Sequence, residues 1–133
     1  MIIIGHPWIN SNRFLKIFSI KGIEKSQADD IVLLEHLVDT HILAQHCQAN
    51  NITFAVVVNT LDDALFANAL GAKYIICEED DALMIQPIAN EYLFDTNILV
   101  LIHSEKEVSK IARGGVDGVC LLYTSDAADD EYN

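Results

Sequence analysis

The sequence predicts an α/β protein with a parallel sheet, on three observations. Short apolar runs rich in β-branched residues, such as Phe54–Val58, lack alternation and therefore fit strands buried on both faces. Segments of helical length, with recognisable start and stop residues, separate these runs. The strand–helix unit also recurs at roughly 18–24 residues. Strands that alternate with helices form parallel sheets joined by right-handed crossovers.

The N-terminal part is less regular than the rest. Met1–Ile4 is predicted to be a strand that ends before Pro7, because proline cannot continue a central ladder. Phe14–Ile20 alternates weakly and is predicted to be a second, shorter strand. Gly22–Asp30 is polar and is expected to be a connection. Ile31–Leu34 then begins the regular rhythm as a third strand.

The first two regular helices have clear boundary signals. Asp39 or Thr40 is expected to cap a helix that runs through Ala49. A capping-box-like start leads into the helix Leu61–Leu70, and Gly71 is predicted to end it in the left-handed conformation. This second helix is apolar nearly all round, so we expect other parts of the protein to cover it.

The last units follow the same order. Tyr74–Cys77 is a buried strand, and the next helix either restarts at Pro87 or is kinked there. Ile98–Ile102 is another buried strand. Ser104 opens a capping box for an amphipathic helix. Val116–Val119 begins the last of seven predicted strands.

Two parallel architectures fit this pattern. One is an open, doubly wound sheet of flavodoxin type. The other is a TIM-like (β/α) barrel, favoured by the short units and short loops. Seven strands fall one short of eight, and the chain of 133 residues is well below the ~200–250 of a closed barrel. We therefore predict a half or open (β/α) barrel, with the flavodoxin-like sheet as the alternative.

Composition limits the functional classes. A formal charge of −12 argues against nucleic acid or an anionic membrane as a partner. No apolar run reaches the ~18–20 residues of a membrane span, and the N-terminus lacks the basic region of a signal peptide. Three cysteines do not form a disulfide framework, so a cytoplasmic location is expected.

The C-terminal residues have an unusual sequence. Cys120–Asp129, CLLYTSDAAD, resembles codon by codon the translation of a transposon-type sequencing adapter. We therefore expect one natural domain over residues 1–119 and a tail over residues 120–133 that is read-through in a metagenomic assembly. The alternative is a real acidic, solvated tail.

Residues 56–77, VVVNTLDDALFANALGAKYIIC, and residues 105–119, EKEVSKIARGGVDGV, carry a family likeness. They resemble βα units of the ribulose-phosphate-binding barrel superfamily, the group of indole-glycerol-phosphate synthase. The IIIGHPWI opening is also expected to mark a small bacterial family. The superfamily resemblance implies phosphate binding at glycine-rich turns after the last two strands. Here His103-Ser104 follows the strand instead, so no residue of 1–119 is assigned to that site.

Ligands of parallel α/β proteins bind at the carboxyl ends of the strands. A ring of acids, imidazoles and an amide is predicted there, suited to acid–base chemistry or a divalent metal whose identity stays open. Capping alone also explains Thr60 and Ser104, which lie at the same rim. The candidate catalytic residues are His6, Glu35, His36, Asn59, Glu78 and His103.

Cofactor motifs are missing from the sequence. There is no Cys-x-x-Cys, dinucleotide fingerprint, P-loop or nucleophile elbow, so no cofactor is predicted. His36, His41 and His46 are spaced by five and fan apart on a helix. The carboxyl-end rim is expected to carry acids without lysine or arginine, which would repel a phosphorylated substrate.

Two functions remain open. The first is a lyase or isomerase acting on a small-molecule ligand, with the candidate residues converging on one pocket. The second is a non-catalytic binding or scaffold domain, with those side chains dispersed beside a contiguous apolar patch. An incomplete barrel leaves edge strands to be covered, so a homodimer or a partner protein is expected for the second function.

Overall fold

Seven parallel strands alternate with helices, in the computed structural model that describes residues 1–121. Each buried strand is an uninterrupted apolar run, as a sheet covered on both faces requires. The elements in chain order are β1 Ile2–Ile4, β2 Phe14–Lys16, α1 Ile20–Lys25, β3 Ile31–Glu35, α2 Leu37–Ala49, β4 Phe54–Val57, α3 Leu61–Ala69, β5 Tyr74–Cys77, α4 Glu79–Glu91, β6 Asn97–Ile102, a 3₁₀ turn Glu105–Glu107, α5 Val108–Arg113 and β7 Gly118–Leu121.

The predicted partial barrel is confirmed. The strand order is β1-β7-β6-β5-β4-β3-β2, and the sheet curls through 219° as a half-barrel. β7 pairs directly with β1, where Ile2 lies opposite Gly118 and Ile4 lies opposite Cys120. The opening of the barrel is therefore between the edge strands β1 and β2.

The sheet has a core on each face. The convex side is covered by the helices and contains the larger cluster, which includes Phe54, Ile75 and Ile98. The concave side carries the alternate residues of the strands, including Ile76 and Leu99. We refer to this second cluster as the concave core. No helix within residues 1–121 is both long and apolar enough to cross a membrane.

Residues 5–13 join β1 to β2 across the opening, and we call this segment the strap. It carries the chain from the carboxyl end of one edge strand to the amino end of the other. The Asn12 side chain donates a hydrogen bond to the Asp29 carbonyl oxygen at 2.9 Å. Arg13 donates to both carboxylate oxygens of Asp30, at 3.2 and 3.1 Å. These bonds fix the strap beside the amino end of β3.

Several local predictions need correction. The segment 22–30 is not only a connection, because its first residues complete α1, which Ser19 caps through the Gly22 amide. Neither Asp39 nor Thr40 caps α2; the helix begins earlier, after His36, and the Thr40 hydroxyl bonds the His36 carbonyl oxygen. Pro87 lies inside one continuous helix, α4, so the helix does not restart there.

Other local predictions are confirmed. The Thr60 hydroxyl accepts a hydrogen bond from the Asp63 amide at 3.1 Å, and Gly71 has φ of +85° just after α3.

Of the predicted adapter-derived tail, Cys120 and Leu121 form the end of β7. The remainder, residues 122–133, lies outside the described part of the chain.

Candidate functional site

The carboxyl rim brings together two of the six candidate residues. His6 and His103 line one open depression of about 540 Å³, together with Trp8, Ser104 and Glu105. His6 enters from the strap after β1, whereas the other polar groups follow β6. The depression therefore lies at the edge of the sheet where β1 pairs with β7, which in turn pairs with β6.

His6 is held by hydrogen bonds at both ring nitrogens. The Trp8 amide donates to Nδ1 at 3.1 Å, and Nε2 lies 2.6 Å from Oε2 of Glu105. Because Nδ1 accepts, the neutral ring carries its proton on Nε2 and donates it to the carboxylate. His6 therefore fixes the turn of the strap in this arrangement, with its side chain only 12% exposed.

Glu35 lies elsewhere on the rim and has a basic partner. Its Oε2 is 2.7 Å from Nζ of Lys16, at the end of β2. The prediction of a rim without lysine or arginine is therefore wrong. The predicted second strand ends at Ile20, whereas β2 ends at Lys16, four residues earlier. This earlier end is what places Lys16 at the carboxyl rim.

The other three candidates are separate from one another. His36 and Glu78 are the residues before α2 and α4, and neither makes a side-chain capping bond. Asn59 immediately precedes the capping residue of α3. All three are exposed. The structure places them at three successive helix starts and does not gather them into one pocket.

The described residues offer no assembled metal site and no activated thiol. No group of three or more His, Cys, Asp or Glu side chains in residues 1–121 is arranged to hold a metal ion. Burial raises the pKa of Cys47 to about 11, and burial with the charges of Asp81 and Glu78 raises the pKa of Cys77 to about 12. These cysteines are apolar core residues.

An apolar surface on the helices is the first feature that the sequence analysis did not locate. Val38 and Phe66 are 69% and 61% exposed and line a groove of about 490 Å³ between α2 and α3. Its other lining residues are Leu37, His41, Asp63, Ala69 and Leu70. We call this groove, with the neighbouring exposed Ile42 and Leu65, the α2–α3 face.

A cleft at the amino end of the half-barrel is the second such feature. It has a volume of about 430 Å³ and lies between the strap and the amino ends of the strands. Apolar side chains of the concave core form one side, and Lys73 and Tyr74, before and in β5, form another. Nothing in the sequence pattern places the strap there, because its course depends on which strands are the edges.

Fold and surfaces together define a partial (β/α) barrel with an apolar outer face and a cleft under its strap. No protein-family model matches the sequence, and neither does any curated protein.

Proposed function

We propose that the protein is a non-catalytic binding or scaffold domain that self-associates through the α2–α3 face. The observation that carries this proposal is the exposure of Val38, Ile42 and Phe66, at 69%, 60% and 61%. Contiguous exposed apolar side chains mark interaction sites in proteins that are otherwise soluble. The prediction that other parts of the protein cover α3 is wrong for residues 1–121, because Leu65 and Phe66 are 38% and 61% exposed.

The outward side of α2 is apolar even though the inward side of this helix already packs against the sheet. The inward side of α2, with Ala44 and Cys47, is fully buried against the sheet. Val38 and Ile42 are four residues apart and share the outward side, where a solvated helix would carry polar residues. Apolar residues on both sides of α2 are accounted for if a second surface covers the outer one.

A second copy of this chain is the occupant we propose, because an acid and a histidine line the groove and can pair between two copies. The chain is strongly acidic, at −12, so most pairs of surfaces from two copies repel each other. Within residues 1–121, the groove itself is lined by one acid, Asp63, and one histidine, His41. A two-fold axis makes each contact occur twice, so a dimer that sets the His41 of one copy against the Asp63 of the other forms this pair two times.

Analytical ultracentrifugation tests self-association directly. The wild-type chain is expected to sediment as a dimer across the micromolar range, whereas Phe66→Glu sediments as a monomer with an unchanged circular dichroism spectrum. Tyr92→Glu is the matched control, because Tyr92 is 71% exposed and does not line the groove. A monomeric wild type, or a Tyr92→Glu variant that also dissociates, contradicts the proposal.

The two-fold arrangement has its own test. Asp63→Lys places a lysine opposite His41 in the proposed dimer and is expected to weaken it. Asp63→Lys combined with His41→Asp restores the opposite charges and with them the dimer. Failure of the double variant to restore dimerisation contradicts this arrangement of the two copies, even if Phe66→Glu is monomeric.

A lyase or isomerase acting on a small metabolite is the second candidate function. It is favoured by the depression that brings His6, His103 and Glu105 together at the carboxyl rim, where enzymes with parallel barrels bind substrates. A thermal-shift screen with divalent metals and sugar phosphates tests it. An increase in melting temperature that His103→Ala abolishes supports the enzyme, and no response to any compound counts against it.

A further inference from the structure

We propose that the cleft under the strap binds a small monocarboxylate with a compact apolar body. Its volume of about 430 Å³ falls in the range of small-molecule sites, roughly 300–1,000 Å³. It lies at the opposite end of the strands from the depression at His6 and His103. The inference is independent of self-association through the α2–α3 face.

The walls of the cleft set the shape of the ligand body. Ile2, Ile4 and Ile31 belong to the concave core and form an apolar side. Ile9 of the strap, 41% exposed, adds an apolar side chain beside them. This branched aliphatic side of the cleft favours a ligand whose body is a short branched chain or a single ring.

The polar groups set the head of the ligand. Polar residues line the same cleft, namely Lys73, Asn10, Ser11, Asn12 and Tyr74. The Lys73 Nζ lies 5.6 Å from the centre of the Tyr74 ring. Burial raises the pKa of Tyr74, so its hydroxyl stays protonated and is able to donate a hydrogen bond near neutral pH.

The charges decide between an anion and a cation. Among the described residues, Asp30 is the one acid that lines the cleft, and Arg13 neutralises it through two hydrogen bonds. Lys73 belongs to none of the ion pairs found within residues 1–121. A ligand therefore meets one uncompensated positive charge, which favours a single carboxylate. A phosphate dianion would gain little from one lysine in a chain of charge −12.

An NMR titration of the full chain tests the proposal with defined probes. Benzoate and 3-methylbutanoate are compared with benzamide and 3-methylbutanamide, which have nearly the same shapes without the charge. The carboxylates are expected to shift the amide signals of Lys73, Tyr74 and the strap, and to bind about ten-fold more tightly than the amides, the equivalent of ~1.4 kcal/mol. Inorganic phosphate is expected to shift none of these signals.

Two variants and a control make the test specific. Lys73→Met keeps the length of an exposed side chain and is expected to lower the affinity for both carboxylates to that of the amides. Lys21→Met, at an exposed position of α1, is expected to change nothing. Ile9→Trp fills the cleft and is expected to abolish binding of all four probes.

Several results would overturn the assignment. Equal affinity for acids and amides, or unchanged affinity in Lys73→Met, would show that the lysine does not select the ligand. Shifts confined to other parts of the protein, shifts with phosphate, or no binding of any probe would show that the cleft is not a carboxylate site.

Discussion

The concave core and the α2–α3 face are both apolar, yet residues 1–121 cover only the concave core. In the concave core Ile76 is 2% exposed and Leu99 is not exposed at all, whereas on the α2–α3 face Val38 is 69% exposed and Phe66 is 61% exposed. The curl of the sheet brings inward side chains of distant strands together. Within residues 1–121, no other element covers the outward sides of α2 and α3, where Val38 and Phe66 lie.

This difference shows what hydrophobicity alone can determine. An apolar run predicts that a surface avoids water, and topology determines whether the same chain is able to cover it. Substitutions in the concave core should therefore cost the monomer more stability than substitutions on the α2–α3 face.

Shortening a side chain of the concave core is expected to have the largest effect. Leu99→Ala leaves a cavity among residues that cannot close it, and we expect the free energy of unfolding to fall by about 3 kcal/mol. Urea unfolding followed by circular dichroism measures the change. A loss below about 1 kcal/mol would mean that the concave side is not packed as a core.

Disturbing the strand pair at the opening is expected to come next. A Cβ on Gly118 would lie 2.7 Å from the Cβ of Ile2, which is too close for β1 to keep its position on β7. We expect Gly118→Ala to cost about 2 kcal/mol. Hydrogen exchange provides the second measurement: amide protection should fall in β1 and remain in β4. Unchanged protection of Ile3 and Ile4 would contradict this close approach.

The anchor of the strap is expected to contribute less, and in a pH-dependent way. The hydrogen bonds from Arg13 lower the pKa of Asp30 below its usual 3.8. Arg13→Ala leaves the carboxylate, 7% exposed, without its charged donors, and we expect a loss of about 1.5 kcal/mol at neutral pH. Lys25→Ala, which removes an exposed cation of α1, is the control and should change stability little.

The sign of the pH dependence follows from the direction of that shift. A carboxyl group with a lowered folded-state pKa stabilises the protein at pH values above its unfolded pKa, near 3.8. This stabilisation is lost as the pH falls further, through the folded-state value. Asp30→Asn should therefore have a flatter stability profile below about pH 4. Equal slopes in the variant and the wild type would remove Asp30 as the cause.

Truncation on the α2–α3 face is expected to have the smallest effect on the monomer. Phe66→Ala should change the unfolding free energy by less than about 0.5 kcal/mol in dilute solution, because water already surrounds most of the ring. At higher concentration the wild type should gain stability from association and the variant should gain less. Melting curves over a dilution series measure both. A large loss at every concentration would mean that Phe66 is part of the monomer core.

The parallel sheet was predictable because each strand is a continuous apolar run between helices with clear boundary residues. Thr60 and Gly71 marked α3 correctly for local reasons, a capping hydroxyl and a left-handed glycine. The pairing of β7 with β1 was not predictable, because the sequence of such short strands does not indicate which strand each one pairs with. The position of the candidate site residues at the carboxyl rim was predictable from the strand ends. Which of their side chains meet was not, because the pairing of β1 with β7 brings His6 and His103 into one depression.

The pairing of β1 with β7 also has a consequence for synthesis on the ribosome. β3 to β6 each find a neighbour in the next strand to emerge, so their ladder can grow as translation proceeds. β1 is made before the other six strands, yet its partner begins at Gly118. β1 therefore remains unpaired until nearly all of the described polypeptide has been translated, and its docking on β7 is the contact with the largest sequence separation in the sheet. A chaperone that shields nascent apolar segments would find Ile2–Ile4 available throughout that time.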